Sequence, residues 1–317
     1  MQFPMAGVEA SPIALILWGI FVGYVFTTVG AAGGILAGVG HMTIFGIKKA
    51  NMVKPMNQVL TLVSPIVGTP LYLREKRIVV PTAVALGLGG IIGALIGSYF
   101  SSELLKDMKT FQPYFGFFTL VISFRLFYEC SQKFIDGQKK VKEANKAFAE
   151  KVKELKAAGK MNEIKEIGVN FQQVGIQNTF TFAGQEFKYN ALTPFIAGIV
   201  VAIISASLGV GGGFLLVPFM TSVMGFPMYI VAGTSVLSIL VSSLTSIANY
   251  INLGSKIDWT FLSFELIGVA IGTVIAAHLS KFINARKLKY FLAFVLLYVG
   301  VKYLFGPMIK AATGIAL

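Results

Sequence analysis

The sequence predicts an all-α, polytopic membrane protein of about eight hydrophobic helices arranged in two internal repeats, each containing a glycine-broken helix. Three observations carry this. Hydrophobic residues make up 55% of 317 positions and charged residues 13%, with a mean hydropathy of +0.75, whereas soluble domains usually carry about 25% charged residues. Long apolar runs recur along the chain. Two glycine clusters sit inside such runs, 179 positions apart: Gly30-Ala31-Ala32-Gly33-Gly34 and Gly209-Val210-Gly211-Gly212-Gly213. Glycines of that kind interrupt helices at membrane depth, which is tolerated only where the freed backbone lines a cavity or meets a ligand.

A helix that crosses the hydrocarbon core needs roughly 20 residues, and eight runs approach that length: 11–29, 57–73, 78–100, 111–128, 193–208, 229–251, 259–279 and 290–305. The first is expected to remain in the protein, because no Lys or Arg precedes it and no small-residue cleavage site follows. The runs 78–100 and 259–279 carry small residues four apart, Gly89, Gly93, Gly97 and Gly268, Gly272, Ala276. Such ladders let helix backbones approach closely in lipid, so both read as packing elements.

Sliding the chain by 179 residues places Gly30, Gly33 and Gly34 on Gly209, Gly212 and Gly213, Gly46 on Gly225, and Ser64 on Ser243. The organisation that follows is a first transmembrane repeat over 11–130, a hydrophilic insert over 131–190 and a second repeat over 191–310. The insert carries 11 of the 27 basic and 7 of the 14 acidic residues. Its first part, 137–158, spaces Val141, Phe148, Val152 and Leu155 as an amphipathic helix. Its second part, 170–190, alternates apolar and polar residues around Ala183-Gly184-Gln185, as a hairpin would.

The bias of Lys and Arg toward cytoplasmic loops places the insert in the cytoplasm. Two topologies then remain. Four crossings per copy would put Lys281, Arg286, Lys287 and Lys289 outside. If the broken segments 11–46 and 193–225 enter and return on one side, each copy has three crossings, the copies are inverted, and that cluster faces the cytoplasm. Charge distribution favours the inverted arrangement.

The second copy resembles the TauE/SafE family of sulfite and organosulfonate exporters in its glycine break with Pro218, its Ala232-Gly233-Thr234-Ser235 helix and its Gly254 with Asp258-Trp259 turn. The first copy departs from that pattern at Lys54-Pro55-Met56-Asn57-Gln58. The resemblance implies an inner-membrane carrier of small sulfur-containing anions. Independently of it, a helix restarting after Gly213 offers free N–H groups and a positive dipole end to an anion.

The expected substrate site therefore comprises Gly33, Gly34, Gln58, Ser207, Gly211, Gly212, Gly213, Thr234, Ser235 and Asn249, the polar ones as neutral donors from which a ligand can still leave. Glu265, inside an apolar span, and His41, after the first break, are the candidates for coupling a proton. Arg125 with Glu129 one turn later, Lys302 and His278 lie near helix ends and read as interfacial groups.

Other chemistry is poorly served. A phosphate loop needs Lys-Ser/Thr after the glycines, where Phe214-Leu215 stands, and a dinucleotide fingerprint needs a preceding strand. Cys130, the single cysteine, excludes an internal disulfide. No cofactor, metal or enzymatic activity is expected. The partners expected are the anion and membrane lipid, with a homodimer left open and nucleic acid excluded. An anion channel and a membrane sensor using the insert are the competing functions.

Overall fold

The computed structural model describes residues 1–29, 32–137, 168–182, 185–279 and 285–313, with isolated positions at 150, 154 and 157. A short hairpin, β1 (Gln2–Phe3) and β2 (Val8–Glu9), precedes α1 (Pro12–Val29). α2 (Ala32–Val39) runs on through a π-helical turn, Gly40–Ile44. Three long helices follow, α3 (Ala50–Arg74), α4 (Val80–Leu104) and α5 (Met108–Glu129), then a short α6 (Gln132–Gly137). After the strands β3 (Asn170–Gln173), β4 (Gln177–Phe182) and β5 (Gln185–Asn190), the same succession returns. It consists of α7 (Leu192–Leu208), α8 (Gly213–Pro218) with a π-helical turn Phe219–Val223, α9 (Met228–Asn252), α10 (Trp259–Leu279) and α11 (Ala285–Thr313). The two π-helical turns are themselves 179 residues apart.

Among the described residues, four helices are long and apolar enough to cross a membrane: Val80–Leu104, Met228–Asn252, Trp259–Ala276 and Arg286–Gly306. The segments flanking the glycine breaks are apolar but shorter. Apolar side chains face outward at helical spacing, such as Val84, Leu88, Ile92 and Leu95 on α4 and Ile267, Ile271 and Val274 on α10. Exposed apolar surface on this scale marks a membrane or partner interface. The chain is thus mostly helical, as a multi-pass membrane protein requires.

The small-residue ladders join helices across the copies. A Cβ on Gly89, Gly93 or Gly97 would lie 2.1, 2.2 and 2.4 Å from the carbonyl oxygens of Phe195, Ile199 and Ile203, so α4 lies directly on α7. A Cβ on Gly268 or Gly272 would lie 2.2 and 2.1 Å from the carbonyl oxygens of Ile16 and Ile20, placing α10 on α1. Phe195 and Ile199 stand at the 179-residue offset from Ile16 and Ile20. α5 packs along α11, and α9 crosses α3 and α4.

Contacts among loops define two ends. At one, Lys49 Nζ donates to the Met5 carbonyl (2.8 Å), the Ala6 N–H donates to Asp258 Oδ2 (3.0 Å), and the Phe3 ring meets Phe261 edge-on. A bridge pairs Lys49 with Asp107 at that same end. At the other, the sheet β3-β4-β5 sets Phe180 and Tyr189 against Phe226 and stacks Phe182 on Tyr229. The Arg77 guanidinium lies between the rings of Tyr72 (4.3 Å) and Tyr229 (3.7 Å), and the Val169 N–H donates to the Lys76 carbonyl.

The all-α expectation needs amending in two places. The hairpin expected over 170–190 is β4–β5, joined by a third strand, β3. A second hairpin opens the chain, too short to leave a periodic signal, turning at Gly7 with φ 71°. Phe3 and Phe182, 179 apart, are both buried strand residues. Most of the helix expected over 137–158, the turn residues Ala183 and Gly184, Gly30 with Ala31, Lys281 and the His278 side chain lie outside the described residues.

Candidate functional site

α7 ends in a left-handed residue, Gly209 (φ 70°), whose N–H donates to the Ala206 carbonyl while Val210 N–H donates to that of Ser205. This is the usual way a helix C-terminus is closed with glycine. Glycine is required here for a second reason: a Cβ would stand 2.4 Å from the Lys54 Cα on α3. The last α7 carbonyls are satisfied from neighbouring helices, Ser207 by Ser101 Oγ (2.7 Å) and Ala206 by Tyr250 OH (2.9 Å). The helix then restarts at Gly213, and the N–H groups of Gly211, Gly212, Gly213 and Phe214 take no acceptor among the described residues.

The two glycine breaks touch. A Cβ on Gly34 would lie 3.0 Å from Thr61 Cγ2 and 3.3 Å from the Gly211 nitrogen, and one on Gly211 would lie 3.2 Å from Thr61 Cβ. Thr61 thus sits between the breaks, its hydroxyl donating to the Gln58 carbonyl (2.8 Å). On the far side of Gly212, between α4, α7 and α9, lies a cavity of about 10 Å³ edged by Ser205, Ser238 and Ser242, the room of about one water.

One turn toward the N-terminal hairpin, the structure brings both proton candidates together. His41, in the first π-helical turn, approaches Glu265 Oε2 with Nε2 at 2.6 Å and Asn57 Oδ1 with Nδ1 at 2.5 Å. All three residues are fully buried. With the Asn57 carbonyl as acceptor, Nδ1 carries a hydrogen, so a single proton is shared between Nε2 and Oε2. Whichever atom holds it, the pair is neutral overall. A proton gained or lost in this geometry would leave a net charge in a dry interior, at a cost of several kcal/mol.

Around this pair several buried polar atoms have no partner among the described residues: Asn57 Nδ2, Glu265 Oε1, Gln58 Oε1 and Trp18 Nε1. Two of them abut glycines of the α2 segment. A Cβ on Gly38 would be 2.8 Å from Asn57 Nδ2, and one on Gly40 would be 2.0 Å from Trp18 Nε1. Unpaired buried polar groups are rare in native proteins and call for an explanation such as a bound water, an ion or a mechanistic role.

The remaining residues expected at the site are engaged elsewhere. Thr234 Oγ1 accepts from the Val79 N–H (3.0 Å) at the start of α4, and Ser235 Oγ donates to the Ala232 carbonyl of its own helix. Asn249 Nδ2 donates to Ser98 Oγ (2.7 Å), tying α9 to α4, and Ser207 Oγ pairs with Tyr114 OH (2.8 Å). Gly33 packs on Phe26, and Gly213 faces Ile239. Arg125 pairs with Glu129, which also receives Lys289 (2.7 Å).

Three residues of α3 that sequence reasoning passed over shape the site: Asn57, Thr61 and Lys54. Lys54 is buried, yet its ammonium donates to Asn51 Oδ1, Ser101 O and Leu105 O, all within 2.9 Å, and faces the Phe111 ring. A cation at the carbonyl end of α4 is favoured by that helix's dipole. The signal in the sequence was the polar run 54–58 at the start of an otherwise apolar helix.

A buried polar centre where two interrupted helices meet inside an apolar, outward-facing bundle defines a multi-pass membrane protein with a transport-type core. The chain belongs to the sulfite exporter TauE/SafE family, whose model matches residues 15–303. It is 22% identical over 302 residues to a protein of Bacillus subtilis (strain 168) described as the probable membrane transporter protein YunE, a match covering 92% of this chain and 97% of that one. No solved structure matches. The chain is a membrane transporter.

Proposed function

We propose that the protein is a secondary transporter of the inner membrane that moves a small anion, sulfite or an organosulfonate, by alternating access, with a proton handled by His41 and Glu265. The observation that carries this reading is the contact of the two breaks at Gly34, Gly211 and Thr61. The unpaired N–H groups of Gly211–Phe214 give an anion hydrogen bonds without a fixed cation, so it can leave again. Thr61 and Gln58 edge the same junction.

The reading includes inverted repeats, because the loop contacts fit them. Residues 5 and 49 lie together at one end of the bundle, and residues 180 and 226 at the other. Each broken segment would then enter and return on one side, leaving three crossings per copy. The triad would lie on the side away from the sheet, one turn from the break junction. Its counterparts at the 179-residue offset are Met220, Val236 and Leu86, so only one half carries the proton site. In a Cys130→Ser background, single cysteines at Lys256 and Lys287 are expected to label from opposite faces, Lys287 on the side of the sheet. Labelling from the same face would remove the inversion.

The substrate is tested by flux in proteoliposomes with a panel of sulfite, sulfonates, sulfate, chloride and acetate. Saturable, mutually competing flux of sulfite or a sulfonate is expected. Flux confined to chloride or acetate would overturn the substrate, and non-saturating flux the carrier mechanism.

A further inference from the structure

The sheet β3-β4-β5 commits one side to the helices through Phe180, Phe182 and Tyr189. The turn between β3 and β4, Val174-Gly175-Ile176, points away from that core: Val174 is 63% and Ile176 78% exposed. Turns facing water use Gly, Asn, Asp and Ser at such places, and an apolar side chain is worth about 1.5–3 kcal/mol when removed from water. Two β-branched residues at the tip point to an apolar surrounding.

Their position is fixed by the start of α7. The Ala191 N–H donates to the Ile176 carbonyl (2.8 Å), holding the turn beside the first residues of that helix. From there α7 presents Leu192, Ile196 and Val200 outward, in line with the tip. Beside them Thr193, Ile196, Ala197, Val200, Val201 and Phe219 line an open, apolar groove of about 440 Å³. The exposed Lys188 of β5 is paired with Glu186 at 2.8 Å, so its charge is already met within the sheet.

We propose that turn and groove form one lipid site: Val174 and Ile176 sit in the interfacial zone of the bilayer, and an acyl chain of a surrounding phospholipid lies in the groove along α7. The occupant is lipid because the groove continues the outward apolar face of α7, which packs on the membrane-length helix α4. The sheet would then be held between the bilayer and the loops carrying Arg77 and Phe226. This site rests on the membrane class of the protein and is independent of the substrate.

The test uses Ile176→Cys in a Cys130→Ser background, labelled with an environment-sensitive fluorophore in phosphatidylcholine nanodiscs, with Lys188→Cys as the water-facing control. The label at 176 is expected to emit to the blue of the control and to be quenched at least about twofold more by lipid spin-labelled near the headgroup than by aqueous iodide. Adding anionic lipid should leave the ratio unchanged. Iodide quenching equal to that of the control would place the turn in water and overturn the site. Protection from both quenchers would mean that protein covers the turn, which also overturns it.

Discussion

Gly209→Ala is expected to be among the most damaging single substitutions in the chain. Its backbone is left-handed (φ 70°), which costs a residue with a Cβ about 1–2 kcal/mol. The added carbon would also lie 2.4 Å from the Lys54 Cα and 2.7 Å from its carbonyl oxygen, backbone atoms that cannot swing aside. Forcing α3 away adds about 1–3 kcal/mol and disturbs the Lys54 ammonium bonds to Ser101, Leu105 and Asn51. The thermal midpoint of the purified protein should fall by roughly 5–15 °C, with loss of monodispersity. Gly212→Ala is the control. Gly212 is right-handed (φ −67°), and its Cβ would make ordinary contacts with Val201 and Ser205 at 3.4 and 3.5 Å. A Gly209→Ala protein as stable as wild type would show that the break tolerates rearrangement.

Glu265→Gln is expected to give the second large effect, on transport and not on folding. Glutamine keeps the size of the side chain and can still hydrogen-bond His41 Nε2, but it cannot share a proton with it. A proton taken up for transport must break the hydrogen bond between His41 and Glu265, so it should release the contact between the His41 turn and α10. Wild-type flux should therefore change at least about fivefold with the pH of the side away from the sheet, between pH 8 and 5.5. Glu265→Gln should change less than about twofold over the same range, and Asn57→Ala, which frees Nδ1, should shift the profile without abolishing it. An unchanged profile in Glu265→Gln would leave the pair as a structural contact.

The mostly helical, membrane-type architecture was legible in the sequence because apolar length is a one-dimensional signal, and the glycine cluster at 209–213 marked the end of α7. The long helices begin and end within a turn or two of the apolar runs, and the ladder glycines lie where backbones meet. His41 and Glu265 could each be singled out as polar groups in apolar surroundings. Their pairing could not, since they are 224 residues apart and meet only because α10 packs across the first copy. Asn57, Thr61 and Lys54 were passed over because polar residues near a helix start read as interfacial, whereas this end of α3 is covered by α4, α5 and the second break. For Thr234, Ser235 and Asn249, composition announced donors without saying where they point: in the fold they bind the start of α4, their own helix and Ser98.

The most direct measurement is the flux of labelled sulfite or sulfonate by Gly34→Ala beside wild type and Gly212→Ala in proteoliposomes, each checked for equal monodispersity. At Gly34 a single methyl group would sit between the glycine clusters, 3.3 Å from the Gly211 nitrogen and 3.0 Å from Thr61. If an anion binds the N–H groups at that junction, losing one charge-assisted hydrogen bond of about 1.5–3 kcal/mol should weaken half-saturation at least about tenfold in Gly34→Ala, with Gly212→Ala near wild type. Wild-type affinity and rate in a folded Gly34→Ala protein would contradict the account: the breaks would then be packing elements, and the anion would pass elsewhere.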